Sequence, residues 1–207
     1  MEKSSQSFIK GVEMIPPAGN YRYEIRRSGE TLAREEASFD GRKISGWRQS
    51  LEGSNRNEVE AEISPQGLVL RVRLRYVRGP FSRNASYEAG DDFLRGSVSA
   101  LGGRNAVTAK LGRFREVSAD FLLFRALTLG HVRERRQTRW TGRVVTIDSA
   151  TLVATSNKQS ARVVDDSGLK WIYEPRMGDL EEIEIDPQGR LLRRRDNCGG
   201  EAVLVVS

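Results

Sequence analysis

The stretch VSADFLLFRALTLG, residues 117–130, decides how this chain is read. Ser118 is a candidate N-cap, Asp120 falls in the first turn, and Gly130 stands just past the last apolar residue. The spacing therefore predicts a helix over 118–129. Phe121, Leu122, Leu123, Phe124, Ala126, Leu127 and Leu129 surround nearly the whole of that helix. A helix that is apolar on almost every side has to be covered on most of them.

The rest of the chain supplies the cover. From Asn20 onward the dominant pattern is alternation: in NYRYEIRR, Tyr21, Tyr23 and Ile25 point one way and Arg22, Glu24 and Arg26 the other. Similar segments follow at TLAREEASF, KISGWRQSL, NEVEAEI, LVLRVRLRYV, NASYEA, FLRGSVSAL and NAVTAKL. They resume after residue 130 with VRERRQTRW, RVVTID, ATLVATS, SARVVDD, LKWIYEP, DLEEIEI, GRLLRRR and AVLVVS. Turn chemistry such as SGE, FDGRK, EGSN and LGGRN separates them. Some fourteen or more short strands at hairpin spacing predict an antiparallel sheet. The expected architecture is mostly β, a curved half-barrel enclosing one apolar helix. It forms a single domain over 20–207 behind a polar leader, 1–19, that ends in IPPAG.

Two segments echo each other. EVEAEISPQGLVLRVR (58–73) resembles LEEIEIDPQGRLLRRR (180–195), with Pro-Gln-Gly at Pro65 and Pro187. Each reads as a hairpin with a type I turn and a G1 bulge, the glycine taking the left-handed position. In LVLRVRLRYV, Leu68, Leu70, Val72, Leu74 and Tyr76 form one face and Arg71, Arg73 and Arg75 the other. That arginine row faces Glu58, Glu60 and Glu62 across the first hairpin, the arrangement cross-strand charge pairing uses.

The ten residues HVRERRQTRW, 131–140, read as a strand with His131, Arg133, Arg135, Gln137 and Arg139 on a wet face. Val132, Glu134, Arg136, Thr138 and Trp140 then share the other, where enclosed charge needs partners.

Composition bounds the chemistry. The 207 residues are 38% hydrophobic and 30% charged with a net charge of +6, ordinary for a globular protein large enough to bury a core. Lysine stands only at 3, 10, 43, 110, 158 and 170, so 28 of the 34 basic residues are arginine. Cys198 is alone, which excludes an internal disulfide and a cysteine zinc cluster. A hydrolytic triad would have to use His131, the single histidine, and no nucleophile motif accompanies it. Asp91-Asp92 and Asp165-Asp166 lie in turns, and Gly102-Gly103 and Gly199-Gly200 lack the spacing of a phosphate loop. Neither an enzyme, a metal nor a cofactor is expected. No run of about 18 apolar residues exists, so no membrane span is expected. The N-terminal residues lack a signal-peptide core. The chain as written reads as cytoplasmic, or as periplasmic or cell-envelope if its natural N-terminus has been trimmed.

The segment SADFLLFRALTLGHVRE (118–134), with strand-only regions on both sides and the closing WIYEPRMGDLEEIEIDPQGRL (171–191), resembles a bacterial half-barrel family of unknown function. That family is similar in fold to the lipoprotein carriers LolA and LolB. The resemblance implies a curved sheet whose concave apolar face receives an acyl chain or other amphiphile.

The reading that follows is non-catalytic binding or carriage of a lipid-like or other apolar small molecule in the concave face. Tyr21, Tyr23, Leu70, Tyr76, Phe121, Phe124, Trp140, Trp171 and Tyr173 are the expected lining, with Arg136 meeting a polar head group. Two alternatives stand beside it: single-stranded nucleic-acid binding through arginine rows and exposed aromatics, and a protein-interaction scaffold with a filled core.

Overall fold

The computed structural model describes residues 15–134 and 137–205. It contains one sheet of fifteen strands and one helix, with Arg136 and most of the leader outside the described residues. Strands β1 (Gly19–Arg27), β2 (Glu30–Phe39), β3 (Lys43–Ser50), β4 (Asn55–Ile63), β5 (Val69–Arg78), β6 (Phe81–Ala89), β7 (Phe93–Ala100) and β8 (Gly103–Lys110) form one antiparallel meander. A short β9 (Val117–Ala119) leads into α1 (Leu122–Glu134). A second meander follows: β10 (Arg139–Ile147), β11 (Ala154–Val163), β12 (Lys170–Arg176), β13 (Asp179–Ile185), β14 (Leu191–Asp196) and β15 (Gly200–Leu204). The meanders join where β1 pairs with β15, and β9 lies parallel to β10 at the far edge.

The sheet curls without closing its ladder. Tyr87 on β6 donates its phenol O–H to the Leu152 carbonyl at 2.7 Å, and Arg83 donates to the Ala150 carbonyl at 2.9 Å. These side-chain bonds bring the β5–β8 side of the sheet against the β10–β11 turn. Glycine permits close packing within the curve. A Cβ on Gly142 would stand 2.3 Å from the Trp140 ring, so the indole lies flat over the bare backbone of its own strand.

The helix differs from its expected limits. Val117–Ala119 is taken up by hydrogen bonds to β10, which puts Ser118 in a strand, not at an N-cap. The cap comes from far away in sequence: Glu35 Oε1 on β2 accepts the Leu122 N–H at 2.8 Å. A carboxylate there satisfies a free donor and lies at the positive end of the helix dipole. At the other end Gly130 stays helical and α1 runs on to Glu134, because His131 and Val132 are both buried in its last turns. The reading of 131–140 as one strand is therefore corrected. His131 to Glu134 are helix, and β10 starts only at Arg139. Leu122, Leu123, Phe124, Ala126, Leu127, Leu129 and Val132 are all buried, as an all-round apolar helix inside a sheet requires.

Both Pro-Gln-Gly segments are hairpins of one design. Gly67 and Gly189 have φ of 80° and 85°, and each turn is followed by a bulge. Ile63 pairs with Val69 and Glu62 with Arg71, which leaves Leu70 as the extra residue. Ile185 pairs with Leu191 and Glu184 with Arg193, which leaves Leu192. The bulge turns Leu70 outward, where it is 41% exposed and no longer shares the face of Val72. The two hairpins are also the fourth-to-fifth-strand connections of meanders beginning at β1 and β10. A further difference concerns ATLVATS and SARVVDD, which form the single strand β11. Residues 148–153 before it are a turn in which Asp148 accepts the N–H groups of Ala150 and Thr151.

Candidate functional site

Alternation places Tyr21, Tyr23, Trp140, Trp171 and Tyr173 on the inner face of the sheet, where they are joined by Phe124 of α1 and by Phe121 just before it. These seven expected lining residues are buried and belong to one continuous apolar core. Tyr76 is half-buried against that core, Leu70 faces outward, and Arg136 lies outside the described residues. The concave face is thus covered by the chain's own helix.

Two charge clusters reach into this apolar interior from its edge, and sequence alternation did not reveal either. In the first, Arg48 donates to Glu35 Oε2 at 2.9 and 2.6 Å and to Asp120 at 3.1 Å, with its guanidinium over the Phe121 ring at 5.3 Å. Burial opposes the charge on Arg48, but Asp120 and Glu35 outweigh it and hold the side chain protonated above its ordinary value. Glu35 itself is pushed upward, because its desolvation exceeds the help from Arg48 and the Leu122 N–H. One sequence signal was available: in KISGWRQS, Arg48 shares its face with Ile44, so it had to point inward.

The second cluster surrounds Tyr173. Its ring carries the Arg125 guanidinium at 4.3 Å, and its O–H donates to Gln159 Oε1. Burial pushes this phenol up to about 12, with Arg125 acting in the opposite direction. Arg125 pairs with Glu181 at 3.1 Å, and Arg194 reaches the same carboxylate at 3.5 Å and Asp196 at 3.5 Å. Around this centre four buried donors, Trp140 Nε1, Gln159 Nε2, Arg125 Nη1 and Arg194 Nε, have no hydrogen-bond partner among the described residues, against a single unpartnered acceptor, Glu181 Oε2. The strand register groups them, since Trp140 pairs with Ala161, Ala161 with Tyr173 and Tyr173 with Glu181. Buried donors without partners are costly and uncommon, and they suit an acceptor-rich guest.

The outer face is arranged differently. Glu58, Glu60 and Glu62 sit opposite Arg75, Arg73 and Arg71 at 3.6, 3.9 and 3.8 Å, the cross-strand pairing the alternation predicted. A shallow hollow of about 800 Å³ opens on this side of β1–β4, with Trp47 in its wall. The Arg56 guanidinium covers Trp47 at 4.9 Å and pairs with Glu58 at 2.9 Å. Trp47 was absent from the expected site, although its place between Ser45 and Gln49 on the polar face of β3 was legible.

Among the described residues no group of three His, Cys, Asp or Glu side chains is placed to hold a metal ion, and no helix is long and apolar enough to cross a membrane.

Fold and interior together define a class: a single-domain, mostly β protein in which one curved, unclosed sheet holds one apolar helix and a buried polar cluster. Among solved structures the chain is similar to a DUF1089 family protein from Pseudomonas aeruginosa, with a TM-score of 0.55 over 81% of this chain and 90% of that one. At 12% identity the likeness is one of fold. No family model and no curated protein matches the sequence.

Proposed function

We propose that the protein is a non-catalytic binder of an amphiphile, a molecule with an acceptor-bearing, anionic head and an apolar tail. The observation that carries this reading is the set of buried donors without acceptors around Tyr173, inside an otherwise apolar shell. The head of the ligand accepts from Trp140 Nε1, Gln159 Nε2 and Arg125 Nη1. Its tail lies between the sheet and α1, exchanging one set of apolar contacts for another, so binding involves a shift of the helix. The sequence resemblance to a half-barrel family implies the same reading, with a ligand on the concave face. Nucleic-acid binding through the arginine rows gains less support, since three of those arginines already face glutamates.

Dodecyl phosphate is a suitable probe and dodecanol its control. Saturable binding of the phosphate that raises Tm, together with a lipid-sized mass retained by the purified protein in native mass spectrometry, is the expected result. Trp140→Phe keeps an aromatic side chain but removes the indole N–H, so the phosphate should bind about tenfold more weakly while dodecanol binding changes much less. Equal binding of both compounds, or of neither, defeats the proposal.

A further inference from the structure

We infer that the rim of the half-barrel at the N-terminal end of α1 is a docking surface for an anionic lipid surface. This goes beyond the ligand reading above and does not depend on it. In an antiparallel meander alternate turns fall at the same end, and the registers fix which ones. Arg27 pairs with Glu30, Arg78 with Phe81, Ala100 with Gly103, Ile147 with Ala154 and Arg176 with Asp179, so all these turns share one rim. That rim carries most of the large exposed apolar side chains: Phe81 is 59% exposed, Leu101 86% and Met177 97%, with Leu51 and Val153 beside them.

Leu101 is the most telling residue. It occupies the first position of the two-residue turn Leu101-Gly102, with φ of 48°. Left-handed backbone disfavours leucine and suits asparagine or glycine. The equivalent β1–β2 turn uses Ser28-Gly29 at φ of 50° and 86°. Neither packing nor backbone geometry accounts for a leucine here, whereas contact with an apolar phase does.

Charge agrees. Arg78, Arg83 and Arg104 flank Phe81 and Leu101, and residues 76–87 and 93–115 contain no carboxylate. None of the three forms a salt bridge among the described residues. Elsewhere the rim is of mixed sign, with Glu30, Glu52, Asp148 and Asp179 beside Arg27, Arg56 and Arg176, so the carboxylate-free arc around Phe81 and Leu101 is the part that faces an anionic surface. Apolar tips that insert among lipid chains, ringed by arginines at headgroup level, fit a membrane surface. Phe81 is the one aromatic tip, and the leucine, methionine and valine tips beside it offer nucleic-acid bases no stacking platform.

The test is co-sedimentation of the full chain with vesicles of phosphatidylglycerol and phosphatidylcholine, and with phosphatidylcholine alone. Binding to the anionic vesicles that weakens as salt rises is expected, with little binding to the neutral ones. Leu101→Asn relieves the turn strain, so its Tm should hold or rise while vesicle binding falls several-fold. Replacing Arg78 and Arg104 by Gln should weaken binding roughly fivefold for each arginine. Absence of vesicle binding, an L101N variant that binds like the parent, or Leu101-dependent binding of a single-stranded oligonucleotide in place of vesicles overturns the inference. Trp140 is remote from this rim, so W140F should leave vesicle binding unchanged, which separates this test from that of the ligand site.

Discussion

His131 Nδ1 lies 2.7 Å from a Glu116 carboxylate oxygen, and the other ring nitrogen of His131 lies 2.8 Å from the Gln66 carbonyl. Both neighbours accept, so a ring protonated on both nitrogens bonds each of them. The contact ties the last turns of α1 to the segment before β9 and to the first Pro-Gln-Gly hairpin. Replacing His131 by Phe removes this link from two buried acceptors. The expected loss of unfolding free energy is on the order of 3 kcal/mol, measurable by chemical denaturation.

Gly67 tests the same contact from the hairpin side. A Cβ at Gly67 would stand 2.7 Å from His131 Nε2 and 3.2 Å from Ile15 Cδ1, on a residue with φ of 80°. Gly29 has a similar φ of 86° with nothing within 4 Å. Gly29→Ala should cost about 1 kcal/mol from backbone strain alone. Gly67→Ala should cost clearly more, and its excess should shrink in a His131→Ala background, where no ring stands against the new Cβ.

The Glu35–Arg48 pair predicts non-additivity. Glu35→Ala removes both the helix cap and one partner of a buried guanidinium, for a loss of about 3 kcal/mol. Arg48→Ala leaves Glu35 buried with only the Leu122 N–H. The double variant should lose markedly less than the sum of the singles, and a double-mutant cycle by denaturant unfolding measures the difference. Additive losses would show that the two side chains act independently.

Alkaline stability should follow the buried phenols. Burial raises Tyr173 and Tyr21 from 10.0 to about 12, so the folded state holds these protons more tightly than the unfolded chain does. Their contribution is complete below pH 10 and is lost as pH rises from 10 toward 12. Unfolding in that window should coincide with appearance of the phenolate absorbance, and Tyr173→Phe should flatten the pH dependence.

The acid limb has the opposite sign. Burial works against ionisation of Asp148, but hydrogen bonds from Thr151 and Ala150 outweigh it and lower its pKa; Asp165 is lowered likewise by Ser167 and the N–H groups of its turn. Their contribution is present above the ordinary 3.8 and disappears as pH falls below it. Asp148→Asn should reduce the steepness of the stability loss measured by denaturation as pH falls below 3.8.

Much of this molecule was legible in its amino-acid order, because a strand alternates with period two and needs no distant information to do so. Alternation placed Tyr21, Tyr23 and Trp140 inward and Arg71, Arg73 and Arg75 opposite Glu62, Glu60 and Glu58. The all-round apolar segment announced one enclosed helix, and Pro-Gln-Gly announced two hairpins. What only the tertiary structure decided were contacts between residues far apart in the chain. Glu35 capping Leu122 overrode Ser118, and the embrace of His131 by Glu116 and Gln66 carried the helix past Gly130. A one-residue bulge turned Leu70 outward, and Arg125 met Glu181 inside the core. Local pattern sets which way a side chain points. Which partner it meets depends on how the sheet curls, and the free energy of that curl is summed over the whole chain.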